Sequence, residues 1–269
     1  MNITLFFQKF RNMNRISAST DEITPEIKNQ ILHQRGNINN LYPSDISEIE
    51  KNNIDFVKHF TMTSYERLVS FSRGIEYLEE HNIEGDIVEC GVWRGGSMMI
   101  AALRLIQLGN TSRKLFMFDT YEGMSEPINA DISMHGNQAI DLMNSQSKND
   151  PGSIWCFSPI DEVKSNLYST KYSKANLHFV KGKVENTLPN KDIGKIAILR
   201  LDTDWYESTL HELNNLFDSV VPGGLIIIDD YGHWSGSKKA VDEFLKKRQL
   251  KVFLNRIDYS GRLIVKPLL

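Results

Sequence analysis

Five short apolar runs alternating with glycine turns and amphipathic segments constrain this chain more than any other feature of its 269 residues. The runs stand in "GDIVECG", "KLFMFDT", "NLHFVKG", "KIAILRLD" and "GGLIIIDD". Between them, "GGSMMIAALRLIQLG" and "STLHELNNLFDSVVPGG" carry helical periodicity, and "SGSKKAVDEFLKKRQ" adds a helix after the fifth run. Strands apolar on both faces, separated by helices, require a parallel sheet covered on both sides. The tail "KVFLNRIDYSGRLIVKP" reads instead as strand, turn at Ser260-Gly261, strand, which is an antiparallel hairpin. The fold class is therefore α/β: a Rossmann-like parallel sheet with a C-terminal antiparallel hairpin, preceded by an N-terminal helical extension.

Residues 1–60 are polar and weakly periodic, broken by Pro25 and Pro43, and read as an arm or helical extension. Residues 61–269 form the main domain. It opens on the helix of "TSYERLVSFSRGIEYLEEH", with Ser64 as its cap and Leu68, Phe71, Ile75 and Leu78 on one face. A segment of about residues 124–175 separates the second and third strands. It is longer than one crossover helix needs, so it is expected to be a lid or substrate-binding element.

Composition narrows the function classes. A formal net charge of -3, without a lysine-rich block, gives no footprint for nucleic acid or a membrane surface. No run is long enough to span a bilayer, and "MNITLFFQKFRNMNR" lacks the long apolar core and cleavage site of a signal peptide. Two cysteines make neither a disulfide framework nor a zinc pattern, and Cys90 reads as a small core residue. These features lead to the expectation of a cytoplasmic enzyme, with homo-oligomerisation left open.

"VECGVWRGGSMM" turns out of the first strand into the first crossover helix. Gly91 permits a tight turn, and Gly95 and Gly96 permit backbone to approach a ligand at the helix N-terminus. The pattern is not G-x-G-x-x-G, which disfavours a nicotinamide dinucleotide. Glu89 is placed to accept from an ammonium group, as an amino-acid-bearing cofactor such as S-adenosyl-L-methionine would present. Asp119, ending the second strand, suits ribose hydroxyls. Gly182 and Val184, after the third strand, would border an adenine ring. Trp93, Ser97 and Thr120 complete the expected cofactor-binding row.

Two acidic pairs follow consecutive strands: Asp202 and Asp204, then Asp229 and Asp230. Parallel strands deliver their C-terminal ends to one rim, where clustered carboxylates repel unless a cation compensates. Oxygen-only ligands with open positions suit Mg2+. Asp202, Asp229 and Asp230 are the expected metal ligands, and Asp204 a helix cap or outer group. Asp202 is also the expected proton acceptor, with His233 as the alternative base or acceptor contact, and His135 a weaker candidate.

Taken together, "TMTSYERL", "GDIVECGVWRGGSMM", "FDTYEGM", "LRLDTDWYEST" and "PGGLIIIDDYGHWSGSKKAVDEF" resemble the macrocin O-methyltransferase family over about residues 61–250. The resemblance implies a class I methyltransferase fold using S-adenosylmethionine and Mg2+ to methylate sugar hydroxyls of natural products. It implies cofactor contacts at Glu89, Gly91, Gly95 and Asp119, and metal ligands at Asp202, Asp229 and Asp230. Thr63 and Ser64 are expected to close over the methionine end. The partner is then a small-molecule or glycan hydroxyl acceptor. A nicotinamide-dependent reductase and a non-catalytic Rossmann-fold binding protein are the alternatives.

Overall fold

The computed structural model describes residues 42–150 and 152–268, so most of the expected N-terminal arm lies outside the described residues. The main compact unit is Ser47–Leu269, beginning earlier than the boundary expected at residue 60. Its first helix, α1 (Glu48–Val57), opens with a reciprocal capping box between Ser47 and Glu50. Asn53 and Gln107 exchange two side-chain hydrogen bonds, tying α1 to α3 (Gly96–Gln107). Helix α2 (Tyr65–Glu80) starts where the sequence places it, with the Ser64 side chain accepting from the Arg67 amide.

Seven strands form one sheet: β1 (Asp86–Cys90), β2 (Leu115–Asp119), β3 (Leu177–Lys181), β4 (Ile196–Leu201), β5 (Val220–Ile228), β6 (Asn255–Arg256) and β7 (Arg262–Val265). Their order is β3-β2-β1-β4-β5-β7-β6. The first five are parallel, and β7 runs antiparallel between β5 and β6. The hairpin is shorter than "KVFL" suggests, because its first strand pairs only at Asn255 and Arg256. No helix among the described residues is long and apolar enough to cross a membrane.

The two-residue period of the strands sorts side chains between two layers. Val88, Cys90, Phe116, Phe118, Leu199, Leu201, Ile226 and Ile228 share a buried cluster with Leu213 and Leu216 of α7 (Tyr206–Leu216). The cluster continues through Val241 and Phe244 of α8 (Ser235–Lys247). On the opposite face Gly74 of α2 packs so close to Leu225 and Ile198 that a side chain there would displace Leu225. Glu89 and Arg200 belong to this second face, and they are register partners across β1 and β4. A buried acid and a buried base are thereby set side by side.

Between β2 and β3 lie α4 (Ala139–Ser145) and α5 (Ile160–Ser169), and the short α6 (Val184–Thr187) follows β3. Helix α5 is the ordinary crossover helix: Arg94, just before α3, pairs with its Glu162 at 2.6 Å, and a Cβ on Gly95 would stand 2.6 Å from its Leu167. The additional element is therefore shorter than residues 124–175. It consists of the loop after β2, α4 and the turns before α5.

Candidate active site

The chain winds from β1 outward through β2 and β3, then returns to β4 and β5, so the C-terminal ends of β1 and β4 border a topological switch point. Gly91 sits there with φ +83°. A side chain on it would overlap the Asp202 carbonyl oxygen, while the Asp202 amide donates to the Cys90 carbonyl at 2.8 Å. Glycine is required at 91 for this approach between two loops, as well as for the turn itself. Asp119 holds the same turn from the other side. Its Oδ2 accepts from the amides of Val92 at 2.7 Å and Trp93 at 3.0 Å, and its Oδ1 from Tyr121 at 2.6 Å. Burial raises its pKa, and these amides oppose that shift.

A cavity of about 420 Å3 opens along this rim. Gly91, Trp93 and Ser97 line it from the glycine turn, Asp119 and Thr120 from β2, and Gly182 and Val184 after β3. Thr63, Asp202, Asp229, Asp230 and His233 also face it. Ser64, Gly95, Gly96 and Glu89, also expected at the cofactor, do not line this cavity. Ser64 caps α2 and donates to Asp258 at 2.7 Å. The Gly95 amide is bonded to the Val92 carbonyl and the Gly96 amide to the Phe60 carbonyl, both at 2.9 Å. Neither amide is left for an anion, and the missing side chains make room for Leu167 and Phe60. Glu89 turns Oε1 to Arg200, leaving Oε2 buried without a partner. Burial pushes the Glu89 carboxyl up to about 7, against the attraction of Arg200.

Sequence reading had missed two buried arginines. Arg200 is 3% exposed and pairs with Glu89, with Asp202 at 2.7 Å and with Asp229 at 2.6 Å. It also donates to the Thr63 hydroxyl at 2.8 Å. Arg67 pairs with Asp229 and, at 3.0 Å, with Asp258. The compensating cations that four clustered acids require are thus partly protein-borne. Their signal was legible: "AILRLD" puts a charge within an apolar strand, and "YERLVSF" puts one beside the buried stripe of α2.

These arginines bear on the expected metal ligands Asp202, Asp229 and Asp230. Both Asp229 oxygens are engaged, Oδ1 by Arg200 and Oδ2 by Arg67 and Thr63. The three acids that bring one ligand oxygen each within 4.8 Å are Asp202, Asp204 and Asp230. Asp204 is not the helix cap, because the cap position of α7 is Trp205. It holds a left-handed backbone at φ +66°, uncommon outside glycine. Its carboxyl hydrogen-bonds Asp230 and is pushed up to about 7, chiefly by burial and then by Asp202. Burial, and then the acids Asp204 and Asp229, push the Asp230 carboxyl up as well.

His233 reaches the same cavity with its pKa lowered by burial, His135 and Arg67, so its ring is neutral near pH 7. Its Nδ1 lies 3.5 Å from the Tyr259 hydroxyl, and the His135 ring lies 6.5 Å away centre to centre. Trp205 and Trp234, edge to face at 4.9 Å, pack with Ala139 and Met143 of α4. The added element therefore lies against the acidic loops, and its Leu142, Gln146 and Ile154 line the cavity.

The family model described as Macrocin-O-methyltransferase (TylF) matches residues 50–265. Over 202 residues the chain is 32% identical to the 8-demethyl-8-(2,3-dimethoxy-alpha-L-rhamnosyl)-tetracenomycin-C 4'-O-methyltransferase of Streptomyces olivaceus, spanning 75% of this chain and 73% of that protein. It is also 32% identical over 201 residues to the demethyldecarbamoylnovobiocin O-methyltransferase of Streptomyces niveus, with the same two shares. The solved structure of the O-methyltransferase NovP superposes with a TM-score of 0.66 at 30% identity, covering 78% of this chain and 83% of that one. The calicheamicin methyltransferase CalS11, at 18% identity and TM-score 0.58 over 93% of this chain and 98% of that one, shares the fold. The reductase and non-catalytic readings give way to methyl transfer onto a hydroxyl. The rim of β1 to β5, its glycine turn and its acidic loops belong to a member of the macrocin O-methyltransferase family, an S-adenosylmethionine-dependent O-methyltransferase.

Proposed function

We propose that the enzyme methylates a sugar hydroxyl, on a glycosylated natural product or a glycan, with Mg2+ held by the acidic loops. The observation that carries this reading is the approach of Asp202, Asp204 and Asp230 to within 4.8 Å beside the cavity wall formed by Gly91 and Asp119. Asp204 and Asp230 form no ion pair among the described residues, whereas Asp202 and Asp229 pair with Arg200. An all-carboxylate donor set suits a hard divalent cation. One relative acts, by its name, on a rhamnosyl-tetracenomycin and another on a demethyldecarbamoylnovobiocin, and the rhamnosyl group of the first supports a sugar-bearing acceptor.

When bound, S-adenosylmethionine supplies an electrophilic methyl group, and a divalent cation acidifies a hydroxyl that it touches. The protein's own groups do the rest. Asp119 fixes the glycine turn and, through it, the cofactor side of the cavity. Asp202 is anchored by Arg200 on one oxygen and faces the cavity, so its carboxylate is the acceptor for the hydroxyl proton. His233, neutral and facing the same space, is the second acceptor. Asp229 positions rather than ligates: it joins β5 to Arg200 and Arg67. Trp205, Trp234 and α4 exclude water from one side. Holding two reactants in line accounts for roughly 7–11 kcal/mol in well-oriented systems.

The test is turnover of labelled cofactor against glycosylated small molecules, nucleotide sugars and glycans, with Mg2+ or with EDTA. Cation-dependent labelling of a sugar hydroxyl is the expected result. Full labelling in EDTA removes the metal from the reading, and labelling confined to acceptors without sugars removes the sugar.

A further inference from the structure

Asp131 lies in the loop between β2 and α4, well away in sequence from both acidic loops, and is 0% exposed. Its Oδ2 accepts from the Ile128 amide at 2.8 Å, closing its own loop. Its Oδ1 accepts from the Tyr206 amide at 2.8 Å. Tyr206 is the first residue of α7, whose cap residue Trp205 makes no side-chain capping bond. The carboxylate that caps α7 therefore comes from the added element, placing negative charge at the positive end of the helix.

The same loop also holds the start of α8, which likewise lacks a side-chain cap of its own. The Ser235 amide donates to the Ile132 carbonyl at 2.9 Å, and the Ser235 hydroxyl to the Ala130 carbonyl at 2.6 Å. Ser133 bridges Trp234, and the Trp205 indole donates to the Ser125 carbonyl at 3.0 Å. Gly236 packs against the Asp131 carboxylate so closely that a side chain there would overlap Oδ1. Asp131 thus stands between the first turns of the two helices that follow the two acidic loops.

Those loops carry Asp204, two residues before Tyr206, and Asp230, whose carbonyl accepts from the His233 and Trp234 amides at 3.0 and 2.9 Å. The left-handed backbone at Asp204 needs its surroundings to hold it. We propose that Asp131 is a positioning residue for the cation site: by capping α7 against the start of α8, it sets the separation of Asp204 and Asp230. The inference rests on the metal reading given above. The loop from residue 125 to 133 is, on this account, a fixed clamp, and acceptor selection falls to α4 and the turns after it.

The test uses the full chain and its Asp131→Ala and Asp131→Asn variants, titrated calorimetrically with Mn2+ and separately with S-adenosylhomocysteine. In Asp131→Ala, Mn2+ affinity is expected to fall about 10–100-fold, as when a partner outside the ligand set is removed. S-adenosylhomocysteine affinity is expected to stay within about twofold, because the glycine turn and Asp119 are untouched. Asp131→Asn keeps an oxygen for the Tyr206 amide and is expected to restore most of the Mn2+ affinity. In turnover, kcat is expected to fall with little change in cofactor KM. Unchanged Mn2+ affinity in Asp131→Ala overturns the proposal. Parallel loss of both ligands, or no rescue by Asn, shows a merely structural role and also overturns it. A wild-type chain that takes up no Mn2+ overturns the metal reading itself, and the positioning proposal with it.

Discussion

Arg200 donates to Asp229 at 2.6 Å from the neighbouring strand, and the same guanidinium pairs with Glu89 and Asp202. Its charge is held firmly protonated, because the attraction of Asp202, Asp229 and Glu89 outweighs the cost of burial. Removing it leaves three acids short of a cation in a place that water scarcely reaches. Breaking one side of a buried pair costs roughly 3–5 kcal/mol. Arg200→Met is therefore expected to lower stability by at least that much, measured by urea unfolding. A loss below about 1 kcal/mol would show that the network is solvated in solution.

Gly91→Ala tests the approach of the β1 and β4 loops. The added methyl meets the Asp202 carbonyl oxygen, and the left-handed backbone at 91 adds its own cost. Overpacking of this kind costs about 1–3 kcal/mol, and the conformational term adds to it. The variant is expected to melt earlier and to lose S-adenosylhomocysteine binding. Wild-type melting and affinity together would contradict the close approach.

Asp119→Ala unties Val92, Trp93 and Tyr121 at once. Hydrogen bonds to a charged group contribute roughly 1.5–3 kcal/mol, equivalent to about one to two orders of magnitude in affinity. Cofactor KM and S-adenosylhomocysteine Kd are expected to rise by that factor, while Mn2+ affinity holds. An unchanged Kd would show that the glycine turn keeps its shape unaided.

Glu212 gives a pH signature. It is fully buried on α7, its Oε1 meets the Thr203 hydroxyl at 2.8 Å, and its Oε2 has no partner among the described residues. Burial raises its pKa well above 4.5, the value near which the unfolded chain releases this proton. Above that pH the folded state binds more protons than the unfolded one, so this group's contribution to stability falls as pH rises towards the folded pKa. Glu212→Gln stays neutral. Its melting temperature relative to wild type is expected to climb from pH 4.5 upward, whereas a constant offset across pH 4–9 would reject the assignment.

Much of this was readable from periodicity. Apolar runs such as "IAILRL" gave the parallel strands, and Ser64 marked the start of α2. The acid after β2 and the acids after β4 and β5 do face one cavity, because parallel strands share a rim. The arginine pairing of these acids was not legible. Asp229 and Asp204 look alike in sequence, yet the arginines that engage Asp229 come from α2 and from two residues upstream of Asp202. Glu89 and Arg200 are opposed only through strand register, which no local pattern announces. Gly95 and Gly96 looked like a ligand cradle, but the space they leave is filled by Leu167 and Phe60.

The most direct measurement is a calorimetric Mn2+ titration of the wild-type chain, Asp204→Asn and Asp229→Asn, each first shown to be folded by thermal melting. The account predicts that wild type binds, that Asp204→Asn loses at least about tenfold in affinity, and that Asp229→Asn keeps its cation affinity while melting earlier. The reverse pattern, with Asp204→Asn unchanged and Asp229→Asn deficient, would contradict the acidic trio of Asp202, Asp204 and Asp230 and return Asp229 to the ligand set.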